Sequence, residues 1–349
     1  MFGKMMNNYY YGKSGKGDYR KEDLPRNRWQ LFWEMLRIRF AGLVRLNLMY
    51  TLIWLPTMVV VLFNGFALLD FVGRATPMAD ETGAMTLMSV SAPVAVEENA
   101  AASEFAPPAE PEEPVVFTGA EFLEIITGTL FQTLIFLIPC IAITGPFTAG
   151  VSYVTRNWAR DEHAFVWSDF KDAVKENWKQ GLVVSVITSI VPVLVYMCWT
   201  FYGEMANESF LYVVPQMLTV MVSIVWLLAT VYLYPLMVSY KLNLRTLLKN
   251  GIVLAIAKLP QSVGVRLVTL VPMLIGILAA FFFVGPTWVI LIEFLYYLVI
   301  GYTLTRFVFA SYTNGVFDRF INPNIEGAPV NRGLSDEPDD DDEEYEDEE

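Results

Sequence analysis

Long apolar runs alternate with polar connections along most of the chain. The runs cover residues 46–69, 122–143, 182–201, 211–239, 267–284 and 288–309. At 1.5 Å of helical rise per residue, about 20 residues cross a hydrocarbon core of ~30 Å, so each run suits one crossing. The expected fold class is an all-α integral membrane protein of about six transmembrane helices, with both termini on one side.

The stretch 122–154 is too long for one straight crossing, and Pro139 and Thr144-Gly145-Pro146 interrupt it. The reading ends the second span near Ile143 and starts a new helix at Pro146, because proline suits a helix start. Three polar segments carry a helical period. In 29–39, Trp29, Phe32, Trp33, Leu36 and Phe40 share one face away from Arg37 and Arg39. In 167–180, with Ser168 as cap, Trp167, Phe170, Val174 and Trp178 oppose Lys171, Lys175 and Lys179. In 241–258, with Asn243 as cap, Leu244, Leu247, Leu248, Ile252 and Ala255 form the apolar face. Such patterns predict amphipathic helices lying flat at the membrane surface.

The remaining segments lack either period. Residues 1–28 form a basic tail rich in Gly and Tyr, 70–117 an Ala/Pro/Glu-rich loop, and 321–349 an acidic end. Too few large apolar residues are present there to offset the entropy of ordering, so all three are expected to be disordered. The expected organisation is thus 1–28 tail, 29–69 interfacial helix and first span, 70–117 loop, 118–320 five-helix membrane domain and 321–349 tail.

Composition agrees with this picture and sharpens the topology. The chain has 349 residues, a mean hydropathy of +0.41 and only 17% charged residues, outside the range of soluble domains. Its formal charge of −13 comes almost wholly from the carboxylates after Ser335. In the six-span alternation all 24 Lys and Arg except Arg74 fall on one side; Arg266 is counted with the fourth connection and Arg306 with the C-terminal end. The positive-inside rule makes that side the cytoplasm, placing both termini inside and the 70–117 loop outside.

Candidate chemistry is sparse. The 2 cysteines, Cys140 and Cys198, sit in apolar runs and suggest no disulfide. With 1 histidine, His163, beside Asp161 and Glu162, a metal site has too few ligands. Gly12-Lys13-Ser14 lacks the leading glycine of a phosphate-binding loop. The expectation is a non-enzymatic protein without cofactor, and the Tyr9–Tyr11 tail is read as drawn to the bilayer surface rather than to nucleic acid.

Intramembrane ionisable residues point to function by default. Glu293 in the sixth run, with Gln132, Tyr296 or Tyr297 as hydrogen-bonding companions, is the candidate intramembrane polar site. The other candidate is a surface for lipid headgroups or a protein partner: Arg156, Arg160, Trp167, Phe170, Lys171, Lys175, Trp178, Lys179, Lys241, Arg245 and Lys249. A faint repeat, Asn177 before Val191-Pro192 and Asn250 before Val271-Pro272, fits either duplication or common hydrophobic patterning.

Several short motifs occur in order. They are Gly145-Pro146-Phe147-Thr148-Ala149, Tyr153-Val154-Thr155-Arg156-Asn157-Trp158, Asp169-Phe170 and Asn177-Trp178-Lys179-Gln180. Arg45-Leu46-Asn47-Leu48, Tyr234-Pro235-Leu236, Leu247-Leu248-Lys249-Asn250 and Leu259-Pro260 accompany them. Over residues 30–320 the chain resembles the YesL-like bacterial membrane proteins, domain of unknown function 624; the 70–117 loop and the acidic end are additions to that pattern. The resemblance implies a bacterial cell membrane and a neighbourhood of ABC-type carbohydrate uptake, whose permease or ATPase subunits are the expected partners. It implies no known activity. An accessory, regulatory or assembly component is the leading expectation, and a small-solute permease is the alternative.

Overall fold

The structure, a computed structural model, describes residues 24–78, 87–90, 114–282 and 286–335. Helix α1 is Arg28–Gly73, followed by strands β1 (Ala75–Met78), β2 (Leu87–Val90) and β3 (Val115–Thr118). Then come α2 (Gly119–Trp158), α3 (Ser168–Ala206), α4 (Val213–Ser239), α5 (Leu244–Ala257), α6 (Leu259–Phe282) and α7 (Pro286–Tyr296). A π-turn (Tyr297–Gly301) leads into α8 (Tyr302–Phe320). Among the described residues six helical segments are long and apolar enough to cross a membrane, so the chain is a multi-pass helical membrane protein.

The crossings run on into the polar segments that sequence had set apart. Residues 29–39 belong to α1, and 168–180 belong to α3, without a break between surface helix and span. Ser168 is the first residue of α3 and supplies no cap; Asp169 Oδ2 accepts from Phe165 N at 2.9 Å instead. The expected boundary near Ile143 is also absent, because α2 passes through both Pro139 and Pro146. Proline at 146 removes the N–H that would bond Ala142 O, and the Ser185 hydroxyl of α3 donates to that carbonyl. Close approach makes this possible. A Cβ on Gly145 would overlap the Gly181 carbonyl and the Ser185 hydroxyl, so the two backbones meet where neither residue has a side chain.

Only α5 is a separate amphipathic helix as expected, capped by Asn243, whose Oδ1 accepts from Thr246 N at 2.8 Å. Its apolar face seats Leu247, Gly251 and Ala255 on α4, with Gly251 lying under Leu233.

The flanks of the Ala/Pro/Glu loop are ordered, contrary to expectation. The strands form an antiparallel sheet in the order β1-β2-β3, pairing Ala75 with Val90 and Val90 with Val115. Phe71 at the end of α1 stacks on Phe122 of α2 and meets Phe117 of β3 edge-on, which ties the sheet to both helices. β-Branched and aromatic residues in 115–118 favour this pairing, a local signal diluted by the composition of the whole loop. Residues 79–86 and 91–113, where the rest of the expected disorder falls, lie outside the described residues, as do 1–23, 283–285 and 336–349.

The start of the C-terminal region is likewise ordered. Residues 321–335 fold back over the basic end: Arg28 Nη2 meets Asp318 Oδ2 at 2.7 Å and Asn331 Oδ1 at 2.8 Å. Ser335 N donates to Pro25 O at 3.0 Å. Arg332 bonds Glu162 at 2.6 Å, and Arg160 Nη2 donates to Pro329 O at 3.1 Å. Buried side chains concentrate at this end, in two clusters centred on Leu228–Met237 of α4 with Phe309, and on Leu31–Tyr50 of α1 with Val151–Trp158 and Phe307.

Candidate functional site

The segment 144–158 occupies the centre of the packed end rather than a surface. Thr144, Thr148, Ser152, Thr155 and Asn157 are all buried, and Thr hydroxyls turn inward to carbonyls one turn back, as Thr148 does to Thr144 O at 2.8 Å. Asn314 of α8 donates to Arg156 O at 3.3 Å. Asp161 adopts a left-handed turn (φ 53°), which sends the chain away from α2 towards α3.

Two of the expected surface residues are therefore interior. Arg160 is 6% exposed and engaged by Glu162 at 3.6 Å and by Pro329 O. Phe170, with Val174, fills the notch at Gly150 of α2. Arg156 is partly buried, its guanidinium held by Asn157 Oδ1 at 3.0 Å. Of the apolar face expected in 167–180, Phe170 and Val174 turn inward and the two tryptophans do not. The inward face is Phe170, Ala173, Val174 and Gly181, while Trp167 and Trp178 point outward.

What remains outside is Trp167, Lys171, Lys175, Trp178 and Lys179 on α3 and Lys241, Arg245 and Lys249 at α5. Gln180 Nε2 donates to Leu242 O at 2.7 Å, so the two basic segments join where α3 meets the α4–α5 turn. Beside that junction a cleft of about 370 Å³ is lined by Ser239, Tyr240, Lys241, Asn250 and Ile321. Tyr240 donates to Asn322 Oδ1 at 2.6 Å, and burial pushes its phenol up to about 12.

The intramembrane candidates are not brought together. Gln132 is exposed on α2, whereas α7 packs on α6, on α1 and on the π-turn. Glu293 lies against Gly276 of α6, where a Cβ would fall 2.6 Å from Glu293 Oε1. Its Oε2 is buried and, among the described residues, has no hydrogen-bond partner.

A polar knot that sequence reading missed lies next to Glu293 in the chain. The π-turn disturbs the backbone ladder, and Asn47 of α1 answers it: Nδ2 donates to Tyr297 O and Leu298 O, both at 2.9 Å. Asn47 Oδ1 accepts from Thr303 N at 3.0 Å, and the Thr303 hydroxyl donates to Leu43 O at 3.0 Å. Asn47 is fully buried. Tyr50, one turn on, shares a hydrogen bond with Thr148, and Trp54 stacks on Tyr302 at 4.8 Å. In the sequence Asn47 stands out within Arg45-Leu46-Asn47-Leu48 at the mouth of an apolar run, but nothing local names its partner 250 residues away.

Among the described residues no group of three or more His, Cys, Asp or Glu side chains could hold a metal. Residues 125–199 match the family described as "Protein of unknown function, DUF624". That span covers most of α2 and α3, the most extensively packed helix pair, and bears out the resemblance read from Gly145-Pro146 through Gln180. No curated protein and no solved structure matches the chain.

Proposed function

We propose that this protein is a non-enzymatic accessory or assembly component of a carbohydrate uptake system of the ABC type, residing in a bacterial cell membrane with both termini cytoplasmic. The observation that carries the reading is the exposed face of Lys, Arg and Trp on α3 and α5, joined at Gln180 and Leu242 and backed by the tightly packed core. Among the described residues, Lys and Arg other than Arg74 gather towards that end, which supports a cytoplasmic placement. Rigid amphipathic surfaces of this kind suit a partner subunit or anionic headgroups, each nearby cation contributing about 1 kcal/mol to lipid binding. Affinity purification from mild-detergent membranes with mass spectrometry tests the reading. Reproducible recovery of a permease or ATPase subunit is the expected result, and recovery of the protein alone contradicts it.

One observation favours a second reading, a small-solute permease. Glu293 offers an unpartnered carboxylate oxygen beside a π-turn, and both features recur where helices line a path. Liposomes carrying the protein should then move a solute from a sugar panel, with Glu293→Gln slower. No transport, or no effect of the substitution, removes this alternative.

A further inference from the structure

Arg266, assigned by sequence to the fourth connection, and Arg306, counted with the C-terminal end, both lie within helices. Arg266 is seven residues past the start of α6, about 10 Å along it. Arg306 is in α8, and both guanidiniums face the same ring: Arg266 Cζ is 4.8 Å and Arg306 Cζ 5.7 Å from the Phe309 centroid. Arg306 also lies 5.0 Å from the ring of Tyr234 on α4. Phe309 and Tyr234 are themselves buried, at 1% and 4% exposure.

Like charges gathered on an apolar floor need compensation. Among the described residues no carboxylate lies within ion-pairing distance of either arginine. Arg266 Nη2 donates to Leu227 O and to Thr230 Oγ1, both at 2.6 Å, which uses one corner of its fork. Its Nε is buried without an acceptor, and so is Nη1 of Arg306. Aromatic faces offset part of the cost of a dehydrated cation but accept no N–H bonds in its plane. The two side chains thus leave unused donors on neighbouring helices, at a junction where α4, α6 and α8 pack together.

We infer that Arg266 and Arg306 form a binding site for a phosphate-class anion. A tetrahedral oxyanion can accept from two planar forks at once, which a single carboxylate does less well. The anion replaces the missing counter-charge and pins α4, α6 and α8 to one another. Either a phospholipid headgroup or a free phosphate or phosphorylated solute has this chemistry. Leu227, whose carbonyl Arg266 engages, is 43% exposed, so the site borders the outer surface of the bundle. The site is independent of the exposed lysine surface and of any transporter partner.

The test uses delipidated full-length protein in a maltoside detergent, followed by the thermal midpoint of tryptophan fluorescence. One arm titrates inorganic phosphate against chloride at matched ionic strength; the other adds phosphatidylglycerol to the micelles. A saturable rise in midpoint beyond the chloride control in either arm is expected, and the responding arm identifies the source. Arg306→Gln and Arg266→Gln should each weaken the apparent affinity roughly tenfold, the scale of a lost charge-assisted contact. Should the glutamine variants fail to fold, Arg306→Lys and Arg266→Lys decide, because they keep the charge and lose the fork. Weakened binding in these supports the site. No response in either arm, or wild-type affinity in the folded variants, overturns it.

Discussion

The two ends of the helical bundle are built by different rules. At the basic end, α1, α2, α4 and α8 enclose a core in which Leu43, Val151, Tyr232 and Phe307 are fully buried and buried Asn, Thr and Ser side chains bond the backbone of their neighbours. At the strand-bearing end, large apolar side chains such as Phe63, Ile135, Phe136 and Phe210 face outward. In the most apolar window of α2 no residue is buried inside the protein at all. Lipid can cover such a surface, so apolarity alone does not drive helices together there. Specific association comes from close backbone approach and interhelical hydrogen bonds, and those are concentrated at the basic end.

Substitutions at the two ends should therefore differ sharply. The largest effect is expected for Gly145→Leu, which drives a side chain into the backbone of Gly181; overpacking of this kind, without room to relax, costs about 3 kcal/mol or more. The readout is loss of the monodisperse peak on size exclusion. Next comes Asn47→Leu, which strips Tyr297 O, Leu298 O and Thr303 N of their partner and should cost roughly 2–3 kcal/mol by denaturant titration in micelles. Ser185→Ala leaves Ala142 O, already deprived by Pro146, without a donor, a loss of about 1–2 kcal/mol on the same assay. Phe136→Ala, at a side chain 50% exposed on α2, should stay within about 0.5 kcal/mol of wild type. A Phe136→Ala variant as damaged as Asn47→Leu would erase the distinction between the ends.

This contrast also explains what could be seen in the chain beforehand. Apolar runs of bilayer length are a strong one-dimensional signal, and all six crossings were legible, as was the Asn243 cap of α5. Helix continuity was not. Pro146 reads as a break because its remedy, Ser185, comes from another helix, and that helix approaches only because Gly145 and Gly181 face each other. Arg160 and Phe170 were placed on the surface because a helical period shows which residues share a face but not which face is covered. Arg266 counted as a connection charge because α6 begins ahead of its apolar run, and Arg306, inside the run 288–309, counted with the C-terminal end. The strands at 75–78, 87–90 and 115–118 are too short to stand out from the composition around them.

Under the proposed function, partner contact falls at the basic end, where a packed core backs exposed lysines and tryptophans. Site-specific photocrosslinking in native membranes tests this most directly. A photoreactive residue would replace Lys175 on α3 in one variant and Phe210, 80% exposed near the start of α4, in another. The account predicts a discrete adduct with a transporter subunit from position 175 and none from position 210. An adduct from 210 alone, or equal adducts from both, would contradict it.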